Sequence, residues 1–185
     1  DHRELHLSLR RQRQMCIRDR VGVDTVIRDD PSLTVRGPEI EPREQPKRVV
    51  VDPNDRIPKD CKLMVDSDAP TLLIQSSEHD SSRDEEHVER VVIPEEEIPI
   101  ARILDMLGDM GVQSLLVEGG LDTWSRFLDS GLVDRVRVSV SPLELTHDGA
   151  QCFDLSVLEE HGFSIVSETE ADGDKVTIWE IPENR

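Results

Sequence analysis

No apolar run in these 185 residues comes near the roughly 18 that a membrane-spanning helix needs, and no signal-peptide pattern opens the chain. A soluble, cytoplasmic protein is expected. Cysteine is scarce. Cys16, Cys61 and Cys152 are odd in number and far apart, which excludes a disulfide framework and a zinc-ligand spacing and makes a reducing compartment the default. Tyrosine is absent, aromatics are 3 % and hydrophobic residues 36 %, below the roughly 45–50 % of an ordinary globular domain. The length still suffices to bury a core without disulfides or metals. Lysine is nearly missing: only Lys47, Lys59, Lys62 and Lys175 accompany 18 arginines, against 40 acidic residues and a net charge of −18. Such a field repels nucleic acid and anionic membranes, so neither is an expected partner. It fits an ordinary acidic surface or one adapted to a salty cytoplasm, where screening relieves like-charge repulsion. Also absent are G-x-G-x-x-G, a Walker loop, G-x-S-x-G and any metal-spaced His/Cys set. His2, Glu4 and His6 miss the H-E-x-x-H of a zinc helix by one place, and no P-C-x-x-C follows them. No metal site is expected.

The first twenty residues differ from the rest. They hold six arginines and three acids, and Ser8–Arg20 lacks apolar periodicity. A basic arm for nucleic acid is one reading. The preferred one is a translated remnant of sequencing-adapter sequence, partly non-native and set aside from fold reasoning.

From Val21 onward, short β-like runs alternate with helical segments. Strands are expected at Val21–Val26, Lys47–Asp52, Thr71–Gln75, Val88–Ile93, Ser114–Glu118 and Val133–Val140. Helices are expected at Ile100–Met110, where Ile100, Ile103, Leu104 and Leu107 recur at helical spacing, and at Leu121–Ser130 before Gly131. Phe163–Glu170 and Lys175–Ile181, joined through D-G-D, read as a terminal hairpin. The class is α/β: a mixed, mostly parallel sheet with flanking helices and a C-terminal antiparallel hairpin. Gly37–Pro46 and Ser76–Glu86 read as surface loops.

Two constellations carry chemistry. Gly22–Arg36, G-V-D-T-V-I-R-D-D-P-S-L-T-V-R, puts a glycine at a strand end, Thr25 at the start of a helical turn and a dense polar mixture beside Val26, Leu33 and Val35. Leu115–Trp124, L-L-V-E-G-G-L-D-T-W, runs a strand into Glu118, two glycines and a helix. Glycine allows close backbone approach, and a helix N-terminus offers free N–H groups and a positive dipole end. That makes a phosphate site at the carboxyl end of a strand; the plainer alternative is a tight turn with Asp122 as N-cap.

In this order and about 90 residues apart, the two motifs resemble those of the pyrimidine reductases of riboflavin biosynthesis. These form the carboxy-terminal reductase domain of bifunctional bacterial enzymes and belong to the dihydrofolate-reductase-like fold group. R-V-V-V-D followed by R-I-P, S-G-L-V-D-R-V-R-V-S-V-S-P-L and the terminal hairpin extend the resemblance over Val21 to Ile181. It implies NADPH-dependent reduction of a ribosylamino-pyrimidine 5′-phosphate to its ribitylamino form, with hydride delivered to C1′ of the opened sugar. Carried over by position, Thr25 and Asp29 would contact NADPH, and Gly119, Gly120, Leu121, Asp122 and Thr123 would hold its diphosphate. Arg56 would meet its 2′-phosphate. Leu33, Arg36 and Glu118 would bind substrate, with Arg36 paired to the phosphate as a bidentate donor. A homodimer is implied, no catalytic side chain is singled out, and an amino or oxo group at C2 of the pyrimidine stays open.

The chain also departs from the family pattern. Pro53 stands where Ser is usual, Leu121 and Asp122 where a small residue and Thr are usual, and T-H-D-G where a Gly-rich turn is usual. The family's first strand and its S-x-D-G-K segment have no counterpart, so the expected organisation is a single reductase domain over 21–185 lacking its first strand. The alternatives are a truncated, inactive α/β nucleotide-binding module and a different reductase of the same fold.

Overall fold

A computed structural model describes residues 17–35, 45–78, 86–142, 154–171 and 173–182. The described chain divides into two compact units, one up to Trp124 and one from Ser125 onward.

The first unit is built on a parallel sheet. Its strands are β1 (Ile17–Gly22), β2 (Arg48–Val51), β3 (Thr71–Gln75), β4 (Val88–Val92) and β5 (Ser114–Val117), in spatial order β4-β3-β2-β1-β5. β1 pairs with β2 from Asp19↔Arg48 to Gly22↔Val51 and with β5 from Ile17↔Ser114 to Arg20↔Val117. All four residues of R-V-V-V in β2 and all five of T-L-L-I-Q in β3 are buried, as strands covered on both faces require. Val23, Val26, Val50, Ile57, Cys61, Leu63, Met64 and Leu73 form the core against one part of this sheet.

The expected run Val21–Val26 is not one strand. β1 ends at Gly22, and Val23–Asp29 forms helix α1, with Val23 and Val26 buried three apart on one face. Helical spacing overrides the β-branched composition here. α1 stops at Asp30, whose left-handed backbone (φ 41°) and N–H bond to the Val26 carbonyl close the last turn before Pro31. β1 also takes in Ile17–Arg20, residues that the sequence reading set aside.

Two short helices were not foreseen: α2 (Lys62–Val65) and, in the second unit, α5 (Ser156–Glu160). α3 (Ile100–Asp109) buries Ile100, Ile103 and Leu107 as its periodicity requires, and α4 (Leu121–Asp129) follows β5. Beyond Trp124, β6 (Arg135–Val140), β7 (Ser164–Ala171) and β8 (Asp174–Glu180) form an antiparallel sheet in the order β6-β8-β7. The hairpin expected at the C-terminus is β7–β8. Among the described residues it pairs with β6 in a sheet of its own rather than edging the parallel one. The described elements are mixed α/β, with a parallel sheet in the first unit and an antiparallel one in the second.

Buried Arg48 fixes the segment after α1. The side chain is fully buried, donating to the Thr71 hydroxyl (3.0 Å), the Asp66 carbonyl (2.7 Å), the Ala69 carbonyl and the Ser32 carbonyl (3.5 Å). Desolvation lowers its pKa, and the ring of acceptors is what makes the burial tolerable. Thr71 passes the network on to the Leu63 carbonyl at 2.9 Å.

Candidate functional site

Three loops meet at the carboxyl ends of neighbouring strands β2, β1 and β5, where open α/β sheets hold their ligands. α1 lies at the centre. Its first turn reaches one way through Asp24 and the other way through Thr25. Asp24 accepts a bidentate pair from Arg56, 2.8 Å from Nη1 to Oδ1 and 3.0 Å from Nη2 to Oδ2. The Thr25 hydroxyl accepts the Gly120 N–H at 3.3 Å.

The glycines in this region are fixed by crowding. A Cβ on Gly22 would lie 2.8 Å from the Thr123 Oγ1. Gly119 has φ 152° and a Cβ there would stand 3.3 Å from Thr123 and 3.4 Å from the Thr25 hydroxyl. Gly120 is different: nothing lies within 4 Å of its Cβ position, so it opens outward as a bare ledge. Its carbonyl accepts the first helical bond of α4, from the Trp124 N–H at 3.2 Å. Leu121, Asp122 and Thr123 therefore occupy the first turn, where backbone N–H groups have no intrahelical acceptor. With the dipole end of a nine-residue helix, they make a cradle suited to a diphosphate. This geometry fits the expected dinucleotide.

The structure thus brings together Thr25, Gly119, Gly120 and Thr123, with Leu121 and Asp122 in the same turn. Asp29 stands exposed one helical turn after Thr25, on the same face of α1. Glu118 is exposed at the end of β5, immediately before the ledge. Asp122 is exposed in the first turn of α4, where its charge suits the dipole; Gly120, not Asp122, is the residue before the helix. Leu33 is half-buried and packs one side against the core with a left-handed backbone, φ 46°. Arg36 lies outside the described residues, as do Cys16, Cys152 and the T-H-D-G segment. The backbone of Val35, just before Arg36, is clasped at two points by Gln45, N–H to Oε1 at 2.8 Å and carbonyl to Nε2 at 3.2 Å.

Arg56 is at the site edge but engaged. The Asp24 pair raises its pKa, and the same hydrogen bonds hold the Asp24 carboxyl below its ordinary range. Both side chains remain substantially exposed, so the pair is weak and exchangeable. Sequence reasoning missed Asp24, which lies 32 residues from Arg56, and no local pattern signals such a pair. It also missed Gln75 and Arg90, which hold the loop under Arg56. Among the described residues no group of three or more His, Cys, Asp or Glu could hold a metal, and no helix is long and apolar enough to cross a membrane.

Comparison with known proteins places these features in a family. The RibD C-terminal domain profile matches residues 3–170. The 2,5-diamino-6-ribosylamino-4(3H)-pyrimidinone 5′-phosphate reductase of Methanothermobacter thermautotrophicus is 36 % identical over 146 residues, 77 % of this chain and 65 % of that protein. The riboflavin biosynthesis protein RibD of Aquifex aeolicus is 33 % identical over 137 residues, 74 % of this chain and 38 % of its own length. A Thermotoga maritima crystal structure superposes with a TM-score of 0.71 at 25 % identity, covering 97 % of this chain and 49 % of that one. It is a diaminohydroxyphosphoribosylaminopyrimidine deaminase/5-amino-6-(5-phosphoribosylamino)uracil reductase. The chain spans less than two thirds of the length of each of these relatives.

Proposed function

Because the chain belongs to the RibD C-terminal domain family, we propose that it is the reductase of riboflavin biosynthesis, taking a ribosylamino-pyrimidine 5′-phosphate to its ribitylamino form with NADPH. The relatives' names support the substrate class and the reaction. One observation of this molecule carries the proposal furthest: Thr25, Gly119, Gly120 and Thr123 converge at the carboxyl ends of β1 and β5, beside the free N–H groups that open α4.

The division of labour is the one that the family resemblance implies. The first turn of α4 binds the diphosphate, and Thr25 and Asp29, one turn apart on α1, line the dinucleotide's path. Arg56 exchanges Asp24 for the 2′-phosphate, at small cost because the pair is exposed. When bound, the dinucleotide supplies the hydride for C1′ of the opened sugar. Glu118, at the end of β5, accepts hydrogen bonds from the pyrimidine. Its charge also stabilises cationic character as the sugar opens. Arg36 anchors the substrate phosphate through its planar fork.

Steady-state kinetics on the diamino and the oxo pyrimidine phosphates test this. Arg36→Ala should raise the substrate KM by the equivalent of about 2–4 kcal/mol, because a phosphate dianion loses a charge-assisted fork. The dinucleotide constant should barely move. A raised dinucleotide constant with an unaltered substrate KM would invert the site assignment.

A further inference from the structure

The loop that carries Arg56 is held from beneath by groups that have no part in the sheet's apolar core. Asp55, the residue before it, adopts a left-handed backbone with φ 52°. Its Oδ1 accepts from Arg90 Nη1 at 2.7 Å and from Gln75 Nε2 at 2.9 Å, and the same Arg90 nitrogen donates to Gln75 Oε1 at 3.0 Å. Gln75 is fully buried, and the ion pair is close to it: the side chains of Arg90 and Asp55 are 9 % and 18 % exposed. On the other side of Arg56, the Ile57 N–H donates to Oδ2 of fully buried Asp52 at 2.8 Å, and the Ile57 side chain enters the core. Asp52 Oδ1 has no hydrogen-bond partner among the described residues.

This is an expensive way to hold a surface loop. A buried ion pair roughly breaks even against apolar packing, and an orphaned buried oxygen is a net cost. What the arrangement achieves is position. Both neighbours of Arg56 are immobilised, while its own head stays 47 % exposed and reaches the first turn of α1.

We propose that Arg90, acting through Asp55 and Gln75, is a positioning residue for Arg56, and thereby sets the preference for a 2′-phosphorylated over an unphosphorylated dinucleotide. The proposal rests on the assignment of Arg56 to the 2′-phosphate. Fixing the arginine backbone in advance removes the ordering cost that a loop arginine would meet on binding the phosphate. The unphosphorylated dinucleotide gains nothing from it. Loss of the network should therefore appear in the ratio of affinities and not in binding as a whole.

The test is a fluorescence titration of the 185-residue chain with NADPH and with NADH. Arg56→Ala should lower the preference for NADPH by about tenfold or more, as loss of a charge-assisted contact does. Arg90→Met should lower it in the same direction by roughly three- to tenfold and leave the NADH constant within about twofold. Arg90→Lys, which keeps the charge against Asp55, should restore part of the preference. The Arg56→Ala/Arg90→Met double variant should be no worse than Arg56→Ala, since the second change acts through the first. If Arg90→Met does not fold, Asp55→Asn serves instead: asparagine accepts the left-handed backbone but removes the charge facing Arg90, and should shift the ratio the same way.

An Arg90 or Asp55 variant that weakens both dinucleotides equally, or leaves their ratio unchanged, overturns the proposal while Arg56 keeps its role. An unchanged ratio in Arg56→Ala, or no binding of either dinucleotide by the unaltered chain, overturns the Arg56 assignment itself and the proposal with it.

Discussion

Gly22 shows how closely single residues constrain this site. The sequence marks it as a strand-ending glycine, but only the fold shows why a side chain is excluded there. Its backbone is extended, with φ −74° and ψ 150°, so conformational freedom is not the reason. The reason is Thr123, a hundred residues on, whose Oγ1 would lie 2.8 Å from an added Cβ. Gly22→Ala should destabilise the protein by about 1 kcal/mol, the scale of forcing the Thr123 side chain out of its rotamer. Adding Thr123→Ala should recover most of that loss. Thermal melts of the two variants decide the matter, and a Gly22→Ala protein as stable as the unaltered chain would contradict the contact. Thr25 and Gly120 are the opposite case. Both stand out in the sequence, one as a hydroxyl near a helix start and one as half of a G-G pair; Thr25 does not cap α1 but lies within it, and the fold joins the two residues in a single hydrogen bond. Arg56 is singled out in the sequence by the resemblance alone, and its engagement with Asp24 is not legible there, because an ion pair between a loop and a helix 32 residues away leaves no periodic trace.

Among the elements, most of the parallel sheet was readable because buried strands announce themselves: R-V-V-V and T-L-L-I-Q are continuous runs and are buried throughout. α3 was readable from its spacing. The errors fall where local signals conflict. Val23 and Val26 belong to a helix despite their β-branched side chains, and α2 and α5, with four and five residues, are too short to show a period. β1 is the most instructive element. It lies between β2 and β5, yet its sequence is I-R-D-R-V-G, with three consecutive charged residues, of which Asp19 is in register with Arg48. Arg18 is in register with Leu115, and Arg20 with Val49 and Val117. A strand inside an all-parallel sheet normally reads as a continuous apolar run. Replacing Arg18 and Arg20 together by valine should therefore raise the melting temperature by several degrees, since about 1 kcal/mol is worth roughly 2–4 °C in a chain of this size. Circular dichroism melts check this. A lower melting temperature would mean that the two arginines stabilise the strand.

At the scale of the whole molecule, the net charge of −18 sets the conditions under which a site for two anionic ligands can work. The global field opposes both proposed ligands, so the proposed binding would rest on local donors, assigned here to the first turn of α4, Arg56 and Arg36. Self-repulsion among 40 carboxylates should also make the fold salt-dependent. Raising monovalent salt from about 10 mM to several hundred millimolar, where the Debye length falls below about 10 Å, should raise the melting temperature. A flat or falling dependence would show that the acidic surface costs nothing in stability. The central claim is that the Gly119–Gly120 ledge opening α4 holds the dinucleotide diphosphate, and Gly120→Asp tests it most directly. Nothing lies within 4 Å of a Cβ at Gly120, so the variant should melt with the unaltered protein while placing a carboxylate where the diphosphate would lie. Titration with NADPH should then show affinity reduced by about tenfold or more, the scale of losing or opposing charge-assisted contacts; an undiminished affinity in a protein that melts normally would contradict the account.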